Sequence, residues 1–289
     1  MPPDKYTAVW VSHTSISDWL KCPRAYFLKN VYRDPKTKHK IKLMTPSLAL
    51  GQSVHEVLES LSVLPRTERF REPLPNKFEI AWDKVRGERG GFVNDEVEYQ
   101  YKKRGLDMLA RVYNHPGPIN NLSVKIQMDL PYYWLSQEDN IILCGKVDWL
   151  EYLPDTDSVH IIDFKTGKHQ EEEKSLQLPI YSLLVANCQK RKTTKASYWY
   201  LSESDSLTEK PLPNLEESQK KILDIAQQIK IGRQLNRFKC QNGEEGCFTC
   251  RPFVTITNGG AKLVGQDEYG ADVYILDKAE VENRDGEIL

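Results

Sequence analysis

The sequence predicts an α/β fold, with a helical N-terminal region followed by a mixed sheet flanked by helices. Three patterns predict it. Between Leu48 and Leu61 the apolar residues Leu50, Val54, Val57, Leu58 and Leu61 recur at helical spacing. From Val124 the period becomes two, with Val124, Ile126, Met128 and Leu130 alternating with polar residues. Val159 to Lys165 is then a strand-length apolar run, and a helical pattern from Leu178 to Cys188 follows it.

Taken in order, Thr14 or Ser15 can cap a short helix through Leu20, and Pro23 suits the first position of another to about Val31. Arg33 to Lys42 is polar, with lysines at 36, 38, 40 and 42, and reads as a loop. Phe78 to Val85 and Val97 to Tyr113 read as helices, the second stopped by Asn114-His115-Pro116-Gly117. Val124 to Leu130, Ile141 to Tyr152 and Val159 to Lys165 read as strands, the last two joined by the turn residues Pro154-Asp155-Thr156-Asp157. Pro179 is tolerable only in the first turn of the helix that ends at Cys188. Ala196 to Leu201 reads as a further strand. Asn214 with Glu217 forms a capping pair for a helix to about Ile231. The division expected is a main domain over 1–252 and an extension over 253–289, with a hairpin around Gly265 to Gly270 and an acidic end.

Length and composition narrow the class. Of 289 residues, 39% are hydrophobic and 28% charged, with 6 Trp and 14 Tyr, which supports an ordered core rather than disorder. No apolar run reaches membrane-spanning length, so no membrane partner is expected. Met1-Pro2-Pro3-Asp4-Lys5 lacks the layout of a signal peptide, and a cytoplasmic location is the expectation. Net charge is −1, but residues 1–43 carry nine Lys and Arg against three Asp, while 266–289 carry eight acids against Lys278 and Arg284. A basic segment of this kind suits a phosphate backbone, although on charge alone a solvated basic loop is the better explanation. No G-x-x-x-x-G-K-[ST] phosphate loop is present, which excludes a nucleotide-driven motor of that type.

Asp148 and the triplet Asp163-Phe164-Lys165 carry the chemistry. Strand side chains alternate faces, so Asp163 and Lys165 point one way and Phe164 the other. A turn centred between Asp155 and Thr156 sets Asp148 directly across from Asp163, with Cβ atoms about 4.5–5.5 Å apart. A slip of one residue would turn Asp148 to the wrong face. Two carboxylates gathered there suit a hard divalent cation, and a lysine beside them suits a phosphate. His55 lies on the Leu48–Leu61 helix, with Gly51 one turn before and Glu59 one turn after on the same face. An imidazole added to carboxylates favours manganese, with magnesium the alternative. Gln177 and Tyr181 are four apart and share a helix face, where both can hydrogen-bond a phosphate or a base.

With these residues in place, the chain resembles the PD-(D/E)XK nuclease superfamily, in its RecB-like branch, from Ser15 to about Arg251. The resemblance rests on Cys22-Pro23-Arg24, the Gly51–Glu59 helix with His55, Gly145-Lys146-Val147-Asp148, Asp163-Phe164-Lys165-Thr166-Gly167, and Gln177 with Tyr181. Any one of these is common; five in this order are specific. The resemblance implies a restriction-endonuclease-like core. It implies that His55, Asp148 and Asp163 hold the ion, with the Phe164 carbonyl as a further ligand. Lys165 would orient or activate the attacking water, and Gln177 and Tyr181 would position DNA.

The six cysteines are unevenly placed. Cys144 and Cys188 lie in apolar stretches, whereas Cys240, Cys247 and Cys250 cluster and Cys22 stands alone near the start. RecB-like nucleases that carry a 4Fe-4S cluster hold it with one early and three late cysteines, which Cys22, Cys240, Cys247 and Cys250 resemble; four thiolates also suit zinc. In the familiar pattern the close pair comes first, while here Cys240 precedes Cys247-Phe248-Thr249-Cys250 and no cysteine follows. The function expected is a metal-dependent DNA nuclease, an exonuclease acting on single-stranded DNA or a free end, with protein partners in a DNA-processing complex. CRISPR adaptation and AddB-type recombination or repair are the settings implied. The other class is a non-catalytic DNA-binding or assembly subunit that keeps the fold.

Overall fold

The computed structural model describes residues 3–276, so the acidic end from 277 lies outside the described residues. In chain order the elements are β1 (Val9–Val11), α1 (His13–Lys21), α2 (Pro23–Tyr26), β2 (Ile41–Leu43), α3 (Pro46–Ser62), α4 (Leu74–Asp83), α5 (Asp95–Asn114), β3 (Tyr132–Ser136), β4 (Ile141–Cys144), β5 (Trp149–Leu153), β6 (Ser158–Lys165), α6 (Gln177–Cys188), β7 (Lys192–Tyr200), β8 (Thr208–Lys210), α7 (Leu215–Gln234), α8 (Arg251–Thr257), β9 (Ala261–Gln266) and β10 (Asp272–Leu276). The expected mixed α/β architecture with a helical first third is what forms. Among the described residues no helix is long and apolar enough to cross a membrane.

Contacts divide the chain into two compact units. The first holds the residues up to His13, Leu50–Ala81 and Lys103–Ile231. Its four-stranded sheet has the order β5-β6-β7-β8. β5 and β6 are antiparallel, joined by a tight turn at Pro154–Thr156 that Asp157 closes at a φ of 43°. β6 and β7 are parallel, which demands a crossover, and α6 supplies it. A second sheet, β1-β4-β3, pairs β1 parallel and β3 antiparallel to β4. α6 packs on β3, β4 and β7. It is therefore apolar on nearly every face, from Leu178 to Val185, as a helix enclosed on all sides must be.

The second unit holds Thr14–Ala49, Trp82–Lys102 and the chain from Gly232 onward. Its sheet is β2-β10-β9, with the β9–β10 hairpin at the predicted place. Leu28, Ile41, Phe253 and Ile256 form its apolar core. The cut expected after 252 falls inside α8, and β10 pairs with β2, so residues 253–276 share a sheet with the early chain.

Several sequence expectations need correction. Val124 to Leu130 is not a strand: after one bridge, Ser123 to Glu151, and the Val124 N–H to the Leu150 carbonyl, the segment leaves the edge of β5. Ile141 to Tyr152 is two strands in two sheets, because the chain crosses between them at Gly145–Asp148. The loop from Arg33 ends in β2, a strand of three residues that is too short to show a period. The sequence patterns do not mark strands β1, β3 and β8 or helix α8. Asn214 does cap α7, its Oδ1 accepting the Glu217 N–H at 3.1 Å.

Candidate active site

The first unit builds the site on β6. Pairing runs Trp149 to Ile162 through Leu153 to Ser158, the register expected from the turn, so Asp148 at the mouth of β5 stands across from Asp163. There the Asp148 carboxylate takes over from the ladder: its Oδ2 accepts the Phe164 N–H at 2.9 Å. The same Oδ2 lies 3.4 Å from His55 Nδ1 on α3. The Phe164 ring turns away into the core, edge-on to His55 at 6.4 Å and tilted against Trp199 at 6.1 Å.

Asp163 and Lys165 share the other face. Asp163 is 2% exposed, and the Lys165 ammonium stands 2.9 Å from its Oδ2. Gln177 ties the two together. Its Nε2 donates to Asp163 Oδ1 at 2.7 Å and to the Tyr181 hydroxyl at 3.2 Å, while its Oε1 accepts from Lys165. Both ends of the Gln177 amide are thus engaged by protein, and Gln177 and Tyr181 are buried. Lys165 also pairs with Glu171 at 3.1 Å and sits over the Tyr198 ring.

The protonation pattern follows from burial and crowding. Burial, then the facing Asp148 carboxylate, pushes Asp163 up to about 7, with Lys165 and His55 pulling the other way. Burial disfavours a charged His55, but Asp148 overrides it and lifts the imidazole to about 9. Burial also favours a neutral Lys165, yet Asp163 and Glu171 hold it above the usual lysine range. Lys165 is therefore an ammonium in this setting.

His55, Glu59 and Asp148 each offer a ligand atom, and these atoms lie within 4.8 Å of one another. Glu59 joins the sequence-expected His55 and Asp148, and its spacing of four from His55 on one helix face is the sequence signal for it. Burial pushes the Glu59 carboxyl up, Lys146 opposes, and Asp148 adds to the rise. Asp163 Oδ2 is buried, with the Lys165 ammonium as its ion-pair partner. Crowded carboxylates with an imidazole beside them fit a divalent cation such as manganese or magnesium.

Gly51 permits the close approach of the strand end. A Cβ there would lie 3.3 Å from Thr166 Oγ1. Beside Asp148 opens a cavity of about 590 Å³, lined by Glu59, Ser62, Lys125, Gln127, Lys146 and Asp148 among others. The segment that leaves β5 after Val124 forms one wall of it.

The sequence profile of the PD-(D/E)XK nuclease superfamily matches residues 10–252. The chain belongs to that superfamily. Its mixed α/β architecture is consistent with the restriction-endonuclease-like fold, and membership carries metal-dependent nuclease chemistry in general. No curated protein matches the chain significantly.

The second unit carries another candidate metal group. The Sγ atoms of Cys22, Cys240, Cys247 and Cys250 all lie within 4.8 Å of one another. The remaining cysteines are not part of it; Cys188 Sγ lies 3.5 Å from the Tyr132 carbonyl.

Proposed function

We propose that the chain is a metal-dependent DNA nuclease that acts on single-stranded DNA or a free end, as an exonuclease in a DNA-processing complex. The observation that carries the reading is the convergence of Asp148, Asp163 and the Lys165 ammonium at the end of one strand pair. The adjoining cavity, about 590 Å³, is the size of a ligand pocket and gives room for a nucleotide of a strand end. Lys125 and Lys146 line it and would meet phosphate charge.

His55, Glu59, Asp148 and Asp163 would hold the cation, with the Phe164 carbonyl as a further ligand. Once bound, the ion supplies Lewis-acid activation of a water and neutralises charge on the phosphate. The protein's own part is positional and electrostatic. Lys165, charged and half-desolvated, places positive charge against the developing phosphorane. Gln177 fixes Lys165 and Asp163 relative to each other, and Tyr181 holds the donor end of Gln177. Imidazole in the ligand set favours manganese over magnesium.

The test is manganese-dependent degradation of end-labelled single-stranded DNA by wild type and by Lys165→Ala. Cleavage by wild type and its loss in the variant are expected. Equal cleavage by both refutes the catalytic assignment. No cleavage by either, with tight DNA binding, would favour a binding or assembly subunit instead.

A further inference from the structure

We propose that Cys22, Cys240, Cys247 and Cys250 bind one zinc ion as a closed tetrahedral site, in place of the iron–sulfur cluster that the cysteine plan of RecB-like nucleases implies. The argument begins with the edges of the thiolate tetrahedron. Four sulfurs about 2.3 Å from a central zinc stand about 3.8 Å from one another. Cys247 Sγ and Cys250 Sγ are 3.8 Å apart, and no pair in the group exceeds 4.8 Å. A four-iron cube occupies the centre with four metals and bridging sulfides, so it spreads its terminal thiolates wider than a single ion does. Thiolates this close fit one ion and crowd a cube.

The local backbone fixes that short edge. In Cys247-Phe248-Thr249-Cys250 the Cys247 N–H points at Cys250 Sγ, 3.3 Å away. The Cys250 and Arg251 N–H groups both donate to the Cys247 carbonyl, at 3.1 and 2.9 Å. The turn therefore holds both sulfurs on one side. Gly246, at a φ of 77°, passes so near that a Cβ there would lie 2.9 Å from Cys250 Sγ. Any other residue would press into the sulfur.

The surroundings also suit a closed site. Cys22 and Cys250 are buried against Ala25, and Cys240 and Cys247 are partly buried against the same cluster. All four positions round the ion are filled by protein sulfur, which marks a structural rather than a catalytic zinc. Four thiolates and one zinc carry a net charge of −2. Arg24 and Arg251 stand close by, donating to the carbonyls of Gly243, Glu244 and Gly246 at 2.9–3.3 Å. They hold the loop that delivers Cys247 and offset that charge. The ion would join a segment near residue 22 to one at 240–250, two stretches that also share the β2-β10-β9 unit.

The full chain is expressed with iron and zinc both supplied and purified without oxygen. Zinc at one equivalent per chain, no thiolate-to-iron absorption band, and four sulfur neighbours at about 2.3 Å by zinc-edge X-ray absorption are expected. Stoichiometric iron with acid-labile sulfide overturns the proposal. So does zinc with nitrogen or oxygen neighbours, which would place it elsewhere, and so does protein that holds no metal. Cys22→Ser should lose the bound zinc; if it fails to fold, cobalt substitution of wild type gives the same answer through the visible bands of a tetrahedral thiolate site, and their absence counts against zinc. These readouts stand apart from DNA cleavage, so failure of the nuclease reading would leave them unchanged.

Discussion

Replacing Gln177 by Met isolates the device that aligns the site. The substitution keeps length and flexibility but removes an amide whose two ends engage three groups. Two of its bonds are to charged groups, the 2.7 Å donation to the Asp163 carboxylate and the acceptance from the Lys165 ammonium. A hydrogen bond to a charged group is worth about 1.5–3 kcal/mol. If that alignment matters only as the phosphate reacts, the loss converts to about tenfold to a hundredfold in turnover. Tyr181→Phe removes one neutral bond, the 3.2 Å contact with Gln177. It should cost about 0.5–1.5 kcal/mol, or about two- to tenfold. The assay is single-turnover cleavage of end-labelled DNA in manganese, with DNA affinity measured separately. Slow turnover at unchanged DNA affinity is expected for Gln177→Met. Weakened DNA affinity with turnover intact would mean that Gln177 touches substrate and would refute the reasoning.

Glu59→Gln should weaken manganese binding by about tenfold or more while the protein stays folded, as read by calorimetric titration; unchanged affinity removes Glu59 from the ligand set. Gly51→Val should lower stability by about 1–3 kcal/mol in denaturant unfolding, because its side chain meets Thr166, whereas Gly51→Ala should be near neutral as helix propensity offsets the 3.3 Å contact. Away from the site, burial favours a neutral Glu151, but hydrogen bonds from His160 at 2.9 Å and Asn121 at 2.6 Å hold its carboxyl below the usual range. A depressed folded-state pKa stabilises above the unfolded value of about 4.3 and ceases to as pH falls through the folded value. Glu151→Gln should therefore be less stable than wild type by about 1–3 kcal/mol near neutrality. The gap should close in acid, and a gap independent of pH contradicts the assignment.

The register of β5 and β6 was legible because a short turn at Pro154–Asp157 and the strand period of two leave one way to pair 148 with 163. His55 and Glu59 shared a face for an equally simple reason, the helical repeat. The break at Gly145–Asp148 was not legible, since two buried strands in different sheets read as one apolar run. Val124 to Leu130 misled in the opposite direction. Its alternation is real, and Ile126 is buried, but among the described residues no strand pairs with it beyond the Ser123 bridge and the Val124 N–H bond to Leu150, and it lines the cavity instead. The inward commitment of Gln177 was beyond sequence because it depends on which side of β6 the crossover helix packs. The three-residue strands β1 and β2 carry no period at all; their pairing with β4 and β10 is a tertiary fact.

The central claim is that one cation sits where β5, β6 and α3 bring their donors together. Anomalous diffraction from crystals soaked in manganese tests it directly. The account predicts a peak in contact with Asp148 and Asp163 and within reach of His55 and Glu59. A manganese peak bound elsewhere in the first unit, with those four side chains bare, would contradict it.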